Sequence, residues 1–160
     1  EPRASAPHAR LRAMRRLHDA GIPVGVMVAP VIPWINDAEL EAVLEAARDA
    51  GARSAGYVLL RLPHEVAPLF RDWLQAHHPQ RAGHVMSTIN QLRGGKDYDS
   101  GFGRRMRGEG VYAQLLSRRF ALASRRLGFN ASREQWPWLD CSRFVPPVPA
   151  KKASPQGELF

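Results

Sequence analysis

The sequence predicts an α/β chain built on two parallel strands, and three observations carry that expectation. Two runs of strand length, Val24–Ala29 and Ala55–Leu60, are apolar throughout, the pattern of parallel strands buried on both faces. Stretches with apolar residues at helical spacing flank each run. Asp-Ala-Gly recurs at 19–21 and 49–51, thirty residues apart, the length of one βα unit. Residues 8–78 thus read as helix–strand–helix–strand–helix, two successive units of a parallel sheet. Two such strands cannot bury both faces alone, so the rest of the sheet is expected from elsewhere.

Each element has a local reason. The first helix is expected over His8–Ala20, with Leu11, Met14, Leu17 and His18 on one face. Gly21 caps it and Pro23 prevents its continuation. After the first strand, residues 30–35 form a loop, and Asn36 caps the next helix with Glu39 as its capping-box partner. Leu40, Val43, Leu44 and Ala47 make that helix's buried stripe, and Gly51 ends it. Beyond the second strand, a helix over Glu65–His77 turns Val66, Leu69, Phe70 and Trp73 inward, with Pro68 tolerated in its first turn.

After Pro79 the character changes. Val85, Met86, Ile89 and Leu92 predict a helix over Gln80–Leu92. Arg93–Gly110 is a loop with six glycines, five basic residues and two aromatics. A helix over Val111–Leu127 follows through Leu115, Leu116, Phe120 and Ala123, capped by Gly128. The chain therefore divides into residues 1–79 with the βα units, 80–130 as a helical extension with the Gly/Arg loop at 93–110, and 131–160. That last segment reads as a Pro-rich extended tail lying across the domain, with Trp136, Trp138 and Phe144 as its anchors.

Composition sets limits. At 160 residues and 44% hydrophobic, the chain is long enough for one domain with a core of its own. Its single cysteine, Cys141, excludes a disulfide framework and a metal site built only from its own thiolates. The longest uncharged run, Ala20–Asn36, is shorter than the roughly 18–20 apolar residues of a membrane span and contains three prolines. No membrane partner is expected, and with no signal peptide the expected location is cytoplasmic. The chain opens on Glu1 without a methionine, as a processed chain or a fragment would.

The net charge of +8 is unevenly placed. Residues 1–80 hold nine basic and nine acidic side chains, and residues 81–160 hold fourteen and six. Nearly all the basic residues are arginines, which fork phosphate and stack on bases. This surface is either a solvated one or one that meets an acidic partner.

In parallel α/β folds, function gathers at the carboxyl ends of the strands, here residues 29–36 and 60–64. Arg61 ends an otherwise apolar strand, the position of a pocket mouth or of a cap on a neighbouring helix. The Gly/Arg loop is neither a P-loop nor a dinucleotide fingerprint. Its Arg93, Lys96, Arg104 and Arg105 are candidate substrate or phosphate ligands, with Tyr98 and Phe102 able to stack on bases. A glycine-rich surface turn is the alternative. His64, His77, His78 and His84 match no zinc spacing, and no metal ligand is expected within the chain. Glu41, Glu45 and Asp49 line one solvated helix face, and no nucleophile elbow is present, so the catalytic residues are unknown.

Several stretches resemble a known family. Gly21–Pro33 followed by Ile35-Asn36-Asp37 is similar to the fifth-strand region of radical S-adenosylmethionine proteins, in the branch labelled DNA repair photolyase and related to spore photoproduct lyase. Residues 55–63, His84-Val85-Met86-Ser87, and Arg93-Gly94-Gly95-Lys96 through Arg105-Met106 resemble the same branch. Together they cover nearly the whole chain and correspond to the C-terminal half of a member.

The resemblance implies the C-terminal part of a partial (β/α)6 TIM-like barrel: two parallel strands, then a mainly helical extension. It implies an enzyme in which a [4Fe–4S] cluster, held by a C-x-x-x-C-x-x-C loop, cleaves S-adenosylmethionine reductively for hydrogen abstraction from a substrate such as a nucleic acid. That loop is absent here, so the isolated chain is expected to be inactive and to need an N-terminal barrel half as partner. By position, the cofactor-binding residues would be Val28, Ala29, Pro30, Val31 and Ile32, with Leu60, Arg61 and Leu62. Trp34 stands where the family usually has glycine, and its indole would either fill space vacated by missing barrel parts or reshape the rim of that pocket. An open barrel edge implies self-association. The rival expectation is a non-catalytic basic module that binds nucleic acid through Arg93–Arg107.

Overall fold

The computed structural model describes residues 4–98, 100–102, 104–130 and 144–146. Gly25–Val31 (β1) and Ser54–Leu59 (β2) pair in parallel as the one sheet among the described residues, with Gly25 opposite Ser54 and Val28 opposite Tyr57. Six helices are described: α1 (Pro7–Asp19), α2 (Leu40–Asp49), α3 (Val66–His77), α4 (Pro79–Gln91), α5 (Arg104–Arg107) and α6 (Gly110–Arg126). The architecture is α/β, with the expected helix–strand order over the first 78 residues. No described helix is long and apolar enough to cross a membrane.

The Asp-Ala-Gly repeat works as its chemistry requires. Gly21 (φ 74°) and Gly51 (φ 96°) both take the left-handed conformation that ends a helix. The next amide bonds back five residues, Ile22 to the Leu17 carbonyl and Ala52 to the Ala47 carbonyl, each at 2.9 Å. A Cβ at Gly51 would meet the His18 ring at 2.3 Å, so this glycine also lets α1 approach the end of α2.

Two apolar cores follow. In the larger, Val31, Tyr57 and Leu59 of the sheet meet Leu40 and Leu44 of α2 and Leu116 and Phe120 of α6. In the smaller, Leu62 beyond β2 packs with Ala67 and Leu74 of α3 and with Val85 and Ile89 of α4.

Burial on both faces of the strands does not hold. Met27 is 62% exposed and Ala29 is exposed, because α2 and α6 cover the opposite face and no described helix covers this one. β1 also runs on through Pro30 and Val31, where a loop is expected, with a cis Ala29–Pro30 bond and an irregular register between Val28 and Val31. On α3, Ala67 and Leu74 are buried while Val66, Trp73 and Leu69, the last at 64%, are exposed. The helix packs on α4 and on Leu62 beyond β2, and its apolar arc is wider than that contact. Val43 of α2 and Leu115 of α6 are exposed for the same reason, one step beyond the edge of the packed stripe. Phe144 is exposed rather than an anchor, and residues 131–143 and 147–160 of the expected tail, with Cys141, Trp136 and Trp138, lie outside the described residues.

Candidate functional site

The carboxyl ends of β1 and β2 lie side by side, joined by the bond from the Leu60 amide to the Val31 carbonyl at 2.9 Å. Past β1 the chain turns sharply, and Asn36 holds the turn. Its Oδ1 accepts from the Ile32 amide at 2.7 Å and its Nδ2 donates to the Pro30 carbonyl at 3.0 Å. This corrects the expected capping box: Asn36 makes no side-chain cap bond, and the helix instead begins with a 3-10 turn over Asp37–Glu39. The amide side chain satisfies loop backbone groups that would otherwise lack partners.

Trp34 sits inside this turn at φ 64°, strained ground for a bulky side chain. Its indole Nε1 donates to Thr88 Oγ1 at 2.9 Å, its carbonyl accepts from Arg81 at 3.2 Å, and its ring lies 4.5 Å from His84 and 5.7 Å from Tyr112. Two elements, α4 through Arg81, His84 and Thr88 and α6 through Tyr112, thus hold the residue from outside its own loop. They frame a surface cleft of about 680 Å³ lined by Trp34, Asp37, Arg81, His84 and Arg119.

A charged network backs the cleft. Tyr112 donates to Asp37 Oδ2 at 2.5 Å, and Arg119 grips Glu41 with two bonds of 2.8 and 2.6 Å while donating to the Asp37 carbonyl at 2.9 Å. Burial, then the Asp37 hydrogen bond, pushes the Tyr112 phenol well above its ordinary range. The Arg119 hydrogen bond holds Glu41 below the usual carboxylate range, and Glu41 in turn raises Arg119. Tyr112 therefore stays protonated and the Glu41–Arg119 pair stays charged. The aromatic wall with Arg81 beside it can receive a flat ligand with an acidic group.

The second lobe is the Gly/Arg loop, which folds back on the end of β2. Arg93 is only 4% exposed, and its guanidinium donates to the carbonyls of Arg104 (3.0 Å), Arg105 (2.9 Å) and Leu60 (2.8 Å). It clamps the loop to the strand end, a correction to its expected role as a ligand for substrate or phosphate. Arg61 donates to the Tyr98 hydroxyl at 2.9 Å and faces Met106, while its Nε is buried with no hydrogen-bond partner among the described residues. It thus sits under the loop. Arg71 and Asp97 pair at 2.7 Å, tying the loop to α3. Arg104 pairs with Glu109 at 3.2 Å, Arg105 lies over Phe102, and Lys96 is exposed.

The expected cofactor-binding set divides. Val28 and Val31 turn toward α2 and α6, and Ile32, Leu60 and Leu62 pack in the smaller core, so these five support the site from behind. Ala29 and Pro30 remain exposed at the strand end. The histidines have local roles: His77 and His78 flank Trp73 at 5.4 and 5.2 Å, and His84 faces Trp34. The described residues include no group of three His, Cys, Asp or Glu side chains able to hold a metal.

Sequence reasoning misses Tyr112, Arg119, Arg81 and Thr88. Their partners lie 47 to 82 residues away, beyond the reach of any spacing pattern. The one local signal is Trp34, a bulky residue where the resemblance expects glycine. No family model, curated protein or solved structure matches the chain.

Proposed function

We propose that this chain is the C-terminal part of a radical S-adenosylmethionine enzyme, contributing two βα units of a partial barrel and a helical extension. The observation that carries the reading is the one-sided sheet. Two parallel strands with helices on one face and an apolar, exposed surface on the other are what a segment of barrel wall would look like. An N-terminal barrel half carrying C-x-x-x-C-x-x-C would complete the sheet and supply the [4Fe–4S] cluster and its radical chemistry. This chain would contribute Ala29 and Pro30 as apolar contacts for S-adenosylmethionine, with the Trp34 cleft at the rim. Alone it is inactive, and its uncovered sheet favours self-association.

The test is the reading frame upstream of the Glu1 codon. A C-x-x-x-C-x-x-C loop after a predicted strand is expected, and protein made from that frame, reconstituted anaerobically and reduced, should release 5′-deoxyadenosine from S-adenosylmethionine. A frame without the loop, or no such product, overturns the reading.

One observation favours a second reading, a basic module that binds nucleic acid. Phe102 is 92% exposed with Arg105 5.5 Å from its ring, an aromatic and a cation offered together at the tip of the Gly/Arg loop. Binding of a DNA or RNA oligomer by the isolated chain, falling steeply with salt and weakened by Phe102→Ala, would establish it.

A further inference from the structure

The four arginines of α6 form two pairs with seven-residue spacing, so each pair shares a helix face. Arg119 and Arg126 face α2 and meet Glu41 and Glu45. Arg118 and Arg125 have no such counterpart. From Gly110 to Asn130 the chain has no acidic residue, and among the described residues neither arginine forms an ion pair.

Arg125 instead flanks a cleft of about 560 Å³ beside β2, walled by Ser117, Ser124 and Phe120 of α6, with Arg107 and Asn130 across from them. No lining residue is acidic. Asn130 closes this side of the strand, its side-chain amide exchanging bonds of 3.2 and 3.1 Å with the backbone of Ala55. Arg107 is held over the Tyr57 ring at 4.4 Å and forms no ion pair among the described residues.

The polar capacity of this cleft is unmet. Ser124 is 7% exposed, and its hydroxyl has no hydrogen-bond partner among the described residues. A buried hydroxyl left unpaired is costly, and two arginines sharing a cleft without a carboxylate repel each other. One group relieves both: a tetrahedral oxyanion accepts from the serine hydroxyl and takes forked bonds from guanidinium groups.

We propose that the cleft between Arg107, Ser124 and Arg125 is a phosphate-binding site, filled by a free phosphate or by a phosphodiester of a nucleic acid. It is separate from the Trp34 cleft and from the strand ends. The barrel reading can fail without affecting it.

The test titrates the full chain with inorganic phosphate, and separately with a short single-stranded oligonucleotide, by calorimetry in phosphate-free, low-salt buffer. Saturable binding is expected, weakened about tenfold in Arg125→Gln, the equivalent of losing one charge-assisted hydrogen bond. Ser124→Ala should weaken it by a smaller factor. Arg126→Gln changes net charge equally but removes an arginine already paired to Glu45, and should leave binding within twofold of the parent. Thermal unfolding of each variant checks that the fold is intact. This ranking with inorganic phosphate supports a free-phosphate site; the same ranking with the oligonucleotide alone supports a phosphodiester site. Equal weakening by Arg125→Gln and Arg126→Gln would reduce the effect to net charge and overturn the proposal. So would the absence of saturable binding to either probe.

Discussion

The two faces of the sheet share strands and composition but not their fate. On one, Val26, Val28, Tyr57 and Leu59 pack against α2 and α6 and join the larger core. On the other, Met27 and Ala29 stand exposed, with Gly56 and Val58 half-buried across from them. Met27 and Val28 are sequence neighbours pointing to opposite faces, as the two-residue period of a strand demands. Their burial differs because a helical layer lies over only one of them. An apolar run specifies a strand that could be covered on both sides, and whether it is covered depends on what else the chain, or its partner, brings to it.

That contrast can be tested directly. The largest expected effect is on the covered face, where Leu59→Ala should cost about 2–5 kcal/mol in urea unfolding through lost contacts and a cavity. Met27→Ala should stay within about 0.5 kcal/mol. Equal costs at the two positions would mean that the open face is covered in solution.

The attachment of α6 to α2 predicts a smaller effect. Glu41 is held below its ordinary range by Arg119, so the stability it contributes is present above that ordinary range and is lost as pH falls through its lowered value. In Glu41→Gln, this acid-side loss of unfolding free energy should shrink by about 1 kcal/mol or less, the scale of a partly exposed ion pair. Stability that depends on pH in the same way for both proteins would sink this account of how the covering helix is held.

The smallest effect is expected where the two faces meet, at the turn beyond β1. Trp34→Gly relieves left-handed strain of roughly 1–2 kcal/mol. It also gives up the indole bond to Thr88 and the ring contacts with His84 and Tyr112, together worth about the same. A net change within about 1 kcal/mol is expected in thermal or urea unfolding. A loss well beyond that would show that the indole anchors the turn rather than fitting into it.

Much of the fold was legible because it rests on local chemistry. The two Asp-Ala-Gly ends close their helices as short-range bonding requires, and the strand and helix order follows from apolar period. The candidate site was legible only in position, at the strand ends. Asn36 has the residue type of a cap, yet its amide serves the Pro30 and Ile32 backbone because the turn beyond β1 brings those groups closer than any helix end. Arg93 reads as a cation offered to a ligand, and it is buried because three carbonyls of the folded loop and strand end converge on it.

The sequence by itself determined the α/β class, the order of its elements, the left-handed glycine stops and the concentration of arginine in the second half. Each of these depends on neighbours within a few residues or on composition alone. Which face of the sheet is covered, which arginines meet a carboxylate and which do not, and how Trp34 is gripped from α4 and α6 were decided only in the tertiary structure. Those outcomes depend on groups dozens of residues apart, whose meeting is set by how the helices pack across the strands.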